Sequence, residues 1–431
     1  MQPTLKRTAQ LAWPLILGNA SIPLLGIADT AIAGRMPGAV DLASVALGAA
    51  WITLAFWAFS FLRQATSGLT AQAVGRKDSR QISSLLHKGL CLSVGIGCAI
   101  SLIGTLALPG LLSLANPAES MRATTQDYLS IRLMGAPFVL TLYVLHGWMI
   151  GQGQTRLAVS ILLGLNLLNI AFNALFGLAL DMGARGIALG TLCAEATTAI
   201  AVLIGLIRRH PELLRGFSVQ GIGQLMQANA WVMGRTLALL AVFTWFNTQS
   251  SQMGADSAAI NAILLTLLSV AAYSLDGFAD AAEIQVGQNL GAGKKDWARL
   301  ALRSTALCSM GSAVLASLAL FALGHIAVLW LVPQPQIAAQ VTPWLIWLAP
   351  IPLVAWVSYW MDGVYLGINA FKPMAVIMVL VTAGVYFPLN LALAEQGLWG
   401  QWASFWAWQV ARAALMLGWF WTQLRPRHFS V

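Results

Sequence analysis

Charge is the first scarcity in this chain. Of 431 residues only 9% are Asp, Glu, Lys or Arg, against 58% hydrophobic, and the mean hydropathy is +0.74. A water-soluble protein of this length has too little core to hide that composition, so soluble classes are excluded and a polytopic membrane protein remains. Histidine and cysteine are sparse too. His87, His146, His210, His325 and His428 are scattered, which argues against a histidine metal centre. Cys91, Cys98, Cys193 and Cys308 fall inside apolar runs without ligand spacing and read as small core residues. No cofactor and no protein-only metal centre is expected. Acids are scarcer than bases, 15 against 24, giving +9. The positive charges sit in short loops between apolar spans, so their anionic partner is the cytoplasmic lipid leaflet and not nucleic acid.

Long apolar runs are abundant. Hydropathy and loop signals predict an all-α protein with twelve transmembrane helices, near 10–33, 44–73, 85–108, 121–150, 157–180 and 185–207, then 224–252, 257–288, 298–324, 340–367, 373–394 and 398–424. Lys6-Arg7 ahead of the first run imitates a signal peptide, but the run is too long and contains an acid, so it is expected to be retained. With both termini inside, seventeen Lys and Arg residues fall on the cytoplasmic side, and only Arg35, Arg122, Arg132 and Arg185 fall outside. The tryptophans concentrated in the tenth and twelfth spans are expected to form an interfacial belt and to pack.

A basic stretch with Pro and Gly, Arg208 to Ser218, divides six spans from six. The expected organisation is an N-terminal lobe 1–207, a linker 208–223 and a C-terminal lobe 224–431. The halves repeat. Gln72-Ala-Val-Gly75 ends the second span and Gln285-Val-Gly287 ends the eighth, an offset of 212. His146-Gly-Trp-Met-Ile-Gly151 matches Asp362-Gly-Val-Tyr-Leu-Gly367 at an offset of 216. An even number of spans per half makes the repeat parallel. The two six-helix bundles are then related by a pseudo-two-fold axis along the membrane normal, which is the architecture of a rocking transporter.

Polar residues inside the spans carry the chemistry. Leu11 to Ala33 crosses a bilayer with one charge, Asp29, and with Pro14 and Pro23 in its interior. A carboxylate there costs about 2.5–3.5 kcal/mol, and each proline frees a carbonyl at which the helix can hinge. Asn166, Asn169 and Asn173 project from one face of the fifth span, and Thr191 and Glu195 lie four apart on the sixth. With Asp29 these oxygens suit Na⁺ or a protonatable carboxylate. The eighth span carries a stripe of Ser269, Tyr273, Asp276, Asp280 and Glu283, for which Arg235 is the expected ion-pair partner at Asp276 or Asp280. Asp29, Glu195, Asp276, Asp280, Glu283 and Asp362 stand against Arg63, Arg235 and Arg412. That intramembrane surplus of three acids favours cationic ligands.

These residues resemble those of the multidrug and toxic compound extrusion (MATE) family, in its DNA-damage-inducible F-like branch. The resemblance spans essentially the whole chain. It rests on Pro14 with Asp29-Thr30 and Gly34, on Leu275-Asp-Gly-Phe-Ala279 with Ala282-Glu283 and Gly287-Gln288, and on Asp362-Gly363 with Gly367. It implies an inner-membrane antiporter that exports amphipathic, mainly cationic compounds while H⁺ or Na⁺ enters. Asp29 is then the coupling acid, Pro14 the bending point, and Tyr128, Asn169, Asn173 and Thr191 the surrounding polar site. Tyr273, Asp276, Asp280, Glu283 and Asp362 form a second candidate site for substrate or ion. Many relatives carry Asp where this chain has Asn173. A Na⁺ cage of Asp29, Asn169, Asn173 and Thr191 would therefore lack one formal charge, which favours H⁺. The alternatives are Na⁺ coupling or a lipid-linked precursor flippase. An intramembrane protease fits less well, because Asp276 and Asp280 share one helix. One chain holds both lobes and is expected to work as a monomer among membrane lipids.

Overall fold

In hydrocarbon each backbone N–H and C=O must find its partner within the segment, so the apolar runs of this chain become helices. The computed structural model describes residues 4–36, 38–115, 117–211, 220–332 and 334–429, with backbone alone at 22–25, 27, 30, 39 and 115. Most of the expected linker, 212–219, lies outside the described residues, and the side chains of Pro23 and Thr30 are likewise not described.

Among the described residues the helices form twelve membrane segments. In the first half they are α1 (Leu5–Ala33), α2 (Ala39–Trp57 and Phe61–Gly75), α3 (Ser79–Ala115), α4 (Glu119–Met134 and Ala136–Gly151), α5 (Thr155–Asn173 with a π turn, Ala174–Ala179) and α6 (Gly183–Arg209). In the second half they are α7 (Ile222–Gln252), α8 (Ala255–Gly291), α9 (Lys295–Leu331), α10 (Pro335–Leu348 and Ile351–Gly367), α11 (Phe371–Ala392) and α12 (Leu398–Trp419, continuing to Phe429). Seven are long and apolar enough to cross a bilayer by themselves. α4 and α10 do so as pairs bent by 45° and 56°. The bends fall where proline removes backbone donors, at Pro137 just inside the second limb of α4 and at Pro350 and Pro352 in α10. The remaining three, α1, α7 and α12, have 29, 31 and 22 residues before any extension, also enough to span about 30 Å.

The internal repeat is legible in the turns. Left-handed residues stand at Lys77 (φ 57°) and Gly293 (φ 71°) after α2 and α8, and at Gly153 (φ 77°) and Asn369 (φ 59°) after α4 and α10. Each closes its helix with the same long backbone bond: Asp78 N–H to Ala73 O (3.1 Å), Lys294 to Asn289 (2.9 Å), Gln154 to Met149 (3.0 Å) and Ala370 to Tyr365 (2.8 Å). Both matched pairs are 216 residues apart, so the repeat keeps one offset. The match of Gly75 with Gly287 read from the sequence is one helical turn out of register; the counterpart of Gly75 is Gly291.

The chain divides into two compact units. An N-terminal unit comprises Leu17–Thr70 and Ser79–Met226; a C-terminal unit comprises Met1–Ile16, Ala71–Asp78 and Gln227–Val431. In the C-terminal unit the end of α2 is set on α8 by reciprocal backbone contacts. A Cβ at Gly75 would lie 2.1 Å from Gln288 O, and one at Gly291 would lie 2.2 Å from Gln72 O. Gln72 Nε2 also donates to Gly367 O at 2.9 Å. The start of α1 is held in the same unit: Gln285 Nε2 donates to Thr8 Oγ1 at 2.8 Å, and Gly277 on α8 leaves room for Ala12 and Ile16.

The tryptophans divide between two environments. Trp360, Trp402 and Trp408 are buried, donating their indole N–H groups to Thr305, Asn261 and Thr382. Trp347, Trp399, Trp419 and Trp421 face outward, as a belt requires. Cys98 is exposed and the other three cysteines are half-buried, so they do not lie in the core as expected.

Backbone cannot yield to a new Cβ as a flexible side chain can. Gly75→Val and Gly291→Val are therefore each expected to cost about 1–3 kcal/mol and to lower the thermal unfolding midpoint in detergent. Gly95→Val, at a site with nothing within 4 Å, should leave it unchanged.

Candidate functional site

Asp29 lies near the end of α1 in the N-terminal unit, where its Oδ1 accepts a hydrogen bond from Asn173 Nδ2 at 2.8 Å. The same amide nitrogen donates to Asn169 Oδ1 at 2.8 Å, one turn back on α5. Thr191 Oγ1 on α6 approaches Asn173 Oδ1 at 3.3 Å and also donates to its own helix at Ile187 O, 3.0 Å away. An ionised carboxylate and the oxygen of Asn169 can only accept, so the nitrogen of Asn173 must face them and its oxygen must face Thr191. Asn166 makes a second tie between α5 and α1 by donating to Ser21 Oγ at 3.0 Å. The periodic face of three asparagines is thus buried against neighbours, with exposures of 9%, 2% and 0% along the helix.

Three glycines shape this cluster. A Cβ at Gly190 on α6 would fall 2.3 Å from Asn173 Oδ1, and one at Gly48 on α2 would fall 2.4 Å from the ring of Tyr128. One at Gly135, in the bend of α4, would fall 2.9 Å from Glu195 Oε2. Tyr128 is buried, and Arg132 follows one turn later on the same face of α4. Thr191 and Glu195 have the same spacing on α6.

Arg132 departs most from expectation. Counted from the sequence among the outer-side charges, it is buried and grips Glu195 through two hydrogen bonds, 2.8 Å and 2.9 Å long. Its guanidinium also lies 5.8 Å from the ring centre of Phe56. Glu195 therefore belongs to an ion pair and does not add a second acid to the Asp29 pocket. Intramembrane arginines rise to four, and the surplus of acids falls to two.

The C-terminal unit holds the second set. Asp362 on α10 accepts at Oδ2 from both Arg235 on α7 and Arg412 on α12. Beside the expectation of Asp276 or Asp280, Arg235 donates a hydrogen bond to Asp362. This contact depends on how three helices cross, which no spacing within one helix encodes. Asp362 Oδ1 is buried and has no hydrogen-bond partner among the described residues. Along the stripe of α8, Asp280 and Glu283 are buried, Tyr273 and Asp276 half-buried, and Ser269 exposed. Asp362 is thus paired with two arginines, while its neighbour Gly363 packs directly on α8 at Ala279, so the five residues differ in burial and do not form one uniform acidic surface.

Pro14 is half-buried on α1 between Ala12 and Ile16, the residues that seat on Gly277. The division between the compact units crosses α1 at Ile16 and Leu17, just past this proline.

A twelve-segment helical chain with a duplicated half and a hydrogen-bonded intramembrane acid defines a multi-pass membrane transporter. The chain belongs to the MatE family, whose model matches residues 14–175 and 232–392, one match in each half. It is similar to DNA damage-inducible protein F of Escherichia coli (strain K12), at 34% identity over 404 residues, covering 90% of this chain and 86% of that protein. Its fold matches a solved outward-facing multidrug resistance MATE family transporter of the MOP superfamily at a TM-score of 0.89, with 17% identity, covering 100% of this chain and 97% of that one. A MATE crystal structure in the bent conformation matches at 0.88, also with 17% identity, covering 97% and 95%.

Removing one partner of a buried ion pair strands charge away from water. Asp362→Asn, which leaves two buried guanidiniums without their shared carboxylate, is expected to cost about 3–5 kcal/mol. That corresponds to a fall of roughly 10 °C in the thermal midpoint. Asp296→Asn, whose partner Arg299 lies at the surface, should change it by less than about 1 kcal/mol.

Proposed function

We propose that this chain is a secondary antiporter of a bacterial-type inner membrane, with both termini cytoplasmic. It exports amphipathic, mainly cationic compounds in exchange for protons by alternating access. The observation that carries the reading is the hydrogen-bonded position of Asp29 on a proline-containing helix. Where a Na⁺ cage would need oxygens, the nitrogen of Asn173 points at both Asp29 and Asn169, so a donor occupies the direction from which a cation would be held. A proton on Asp29 needs no such cage. The likeness to DNA damage-inducible protein F supports a bacterial inner membrane, and the family supports export of organic cations or drugs.

In the proposed cycle, Asp29 facing outward takes up a proton and loses its charge, and with it the cost of holding that charge in hydrocarbon. α1 then bends at Pro14, where the missing N–H leaves a carbonyl free to turn. The polar cluster of Tyr128, Asn169, Asn173 and Thr191 repacks, affinity for the exported compound drops, and the compound leaves. Facing inward, Asp29 releases its proton. Coupling requires only that proton and substrate bind the two states with different affinities. The partly exposed Tyr273 and Asp276 of the C-terminal unit supply further cation-attracting surface in this reading. A single chain, with both halves, is the working unit.

Purified protein in liposomes, loaded with a fluorescent organic cation and given a ΔpH or a Na⁺ gradient separately, tests this. Uphill transport is expected under ΔpH alone and is expected to be lost in Asp29→Asn. Transport under Na⁺ alone, or full uphill transport by Asp29→Asn, would refute proton coupling through Asp29.

A further inference from the structure

The Arg132–Glu195 pair lies outside the hydrogen-bonded chain that joins Asp29, Asn173, Asn169 and Thr191, yet it forms the next layer of the same packing. Tyr128 and Arg132 occupy successive turns of α4, and Thr191 and Glu195 occupy successive turns of α6. Both charged side chains are about nine-tenths or more buried, and their two hydrogen bonds fix the guanidinium rigidly. Gly135 gives up a side chain to let Glu195 in. An ion pair is a poor way simply to join two buried helices, since an apolar pair of the same volume holds them as well or better. The charge therefore calls for a use, and the packing leads from it to Asp29: Glu195 stands one turn from Thr191, which bonds Asn173, which bonds Asp29.

We propose that Arg132 is a positioning residue for ion coupling, its guanidinium held by Glu195 so as to supply the positive potential against which Asp29 gains and loses its charge. This rests on Asp29 being the coupling group. The surrounding charges leave that part to Arg132. α1 contributes Arg35 beyond its last turn. α2 contributes Asp41, which accepts from the Ala184 N–H, and Arg63, whose backbone packs on α4 at Gly147, about four turns beyond Arg132. On α4, Asp127 is taken at the surface by Arg185 of α6. The face of α5 toward Asp29 offers amides, and α6 offers Thr191 and Glu195.

The two partners then have opposite effects, which a merely structural pair would not. Arg132→Gln removes the positive charge and leaves Glu195 to repel; Glu195→Gln leaves Arg132 without its neutralising partner. The readout is the infrared band of protonated carboxyl in liposome-embedded protein, assigned to Asp29 by its loss in Asp29→Asn and titrated with pH. Its midpoint is expected to move up by about one pH unit or more in Arg132→Gln and down by a similar amount in Glu195→Gln. Arg132→Lys, which keeps the charge, should stay near the wild-type midpoint, and the pH profile of cation transport should follow the same order. Midpoints that do not move, or that move together in one direction, overturn the proposal. If Arg132→Gln does not fold, Glu195→Gln decides alone, since a midpoint unmoved or raised there overturns it. Transport driven by Na⁺ with these infrared shifts intact would refute proton coupling while leaving the electrostatic role of Arg132 standing.

Discussion

A carboxylate held in hydrocarbon needs donors brought to it, and the N-terminal unit is arranged around that requirement. Asp29 receives one hydrogen bond from Asn173, and Asn173 is in turn fixed by Asn169 and Thr191. Each member has its neighbour as a reason for its orientation, so the four residues behave as one polar body inside apolar helices. The tight packing of α6 follows from the same requirement. Asn173 reaches its position only because residue 190 has no side chain, and Tyr128 reaches its own only because residue 48 has none.

The two halves of the duplicated chain have put equivalent positions to different uses. Trp245 on α7 stands 216 residues after Asp29 and donates its indole N–H at 2.8 Å to Asn390, which stands 217 after Asn173. A hydrogen bond between the first and fifth spans thus recurs in the second half, with a neutral indole in place of the acid. The C-terminal unit instead carries its buried acids elsewhere, at Asp280, Glu283 and Asp362, the last bracketed by arginines from two other helices. One ancestral geometry supports a titratable contact in one unit and a permanently neutral one in the other.

The sequence was most informative where a property depends on spacing along one helix. The twelve spans, the parallel repeat, the asparagine face of α5 and the acid on α1 are all of that kind. It was least informative where the answer depends on which helices meet. Arg132 was counted as an outer-side charge because charge counts near span ends do not say which way a side chain turns. The pattern that could have found it was the pair of i, i+4 spacings, Tyr128 with Arg132 and Thr191 with Glu195. The contact of Arg235 with Asp362 follows from the convergence of α7, α10 and α12, and the tight contacts of Gly48, Gly135 and Gly190 appear only once the helices are packed. The one-turn slip at Gly75 arose because the phrase around Gly287 and Gly291 offers two glycines one turn apart. The matching left-handed turns select the second.

α1 is one unbroken helix from Leu5 to Ala33, seated at its start by Thr8, Ala12 and Ile16 and carrying Asp29 fifteen residues beyond Pro14. At 1.5 Å per residue the stretch between them is about 22 Å, and the bend proposed at Pro14 would make it a lever arm with its fulcrum near one end. A tilt of about 15° at that fulcrum would sweep the carboxylate sideways by about 6 Å, roughly twice the length of the hydrogen bond that holds it. In the proposed cycle a small angular change at the proline would therefore have an all-or-none effect at the acid: the bond to Asn173 would be either made or out of reach.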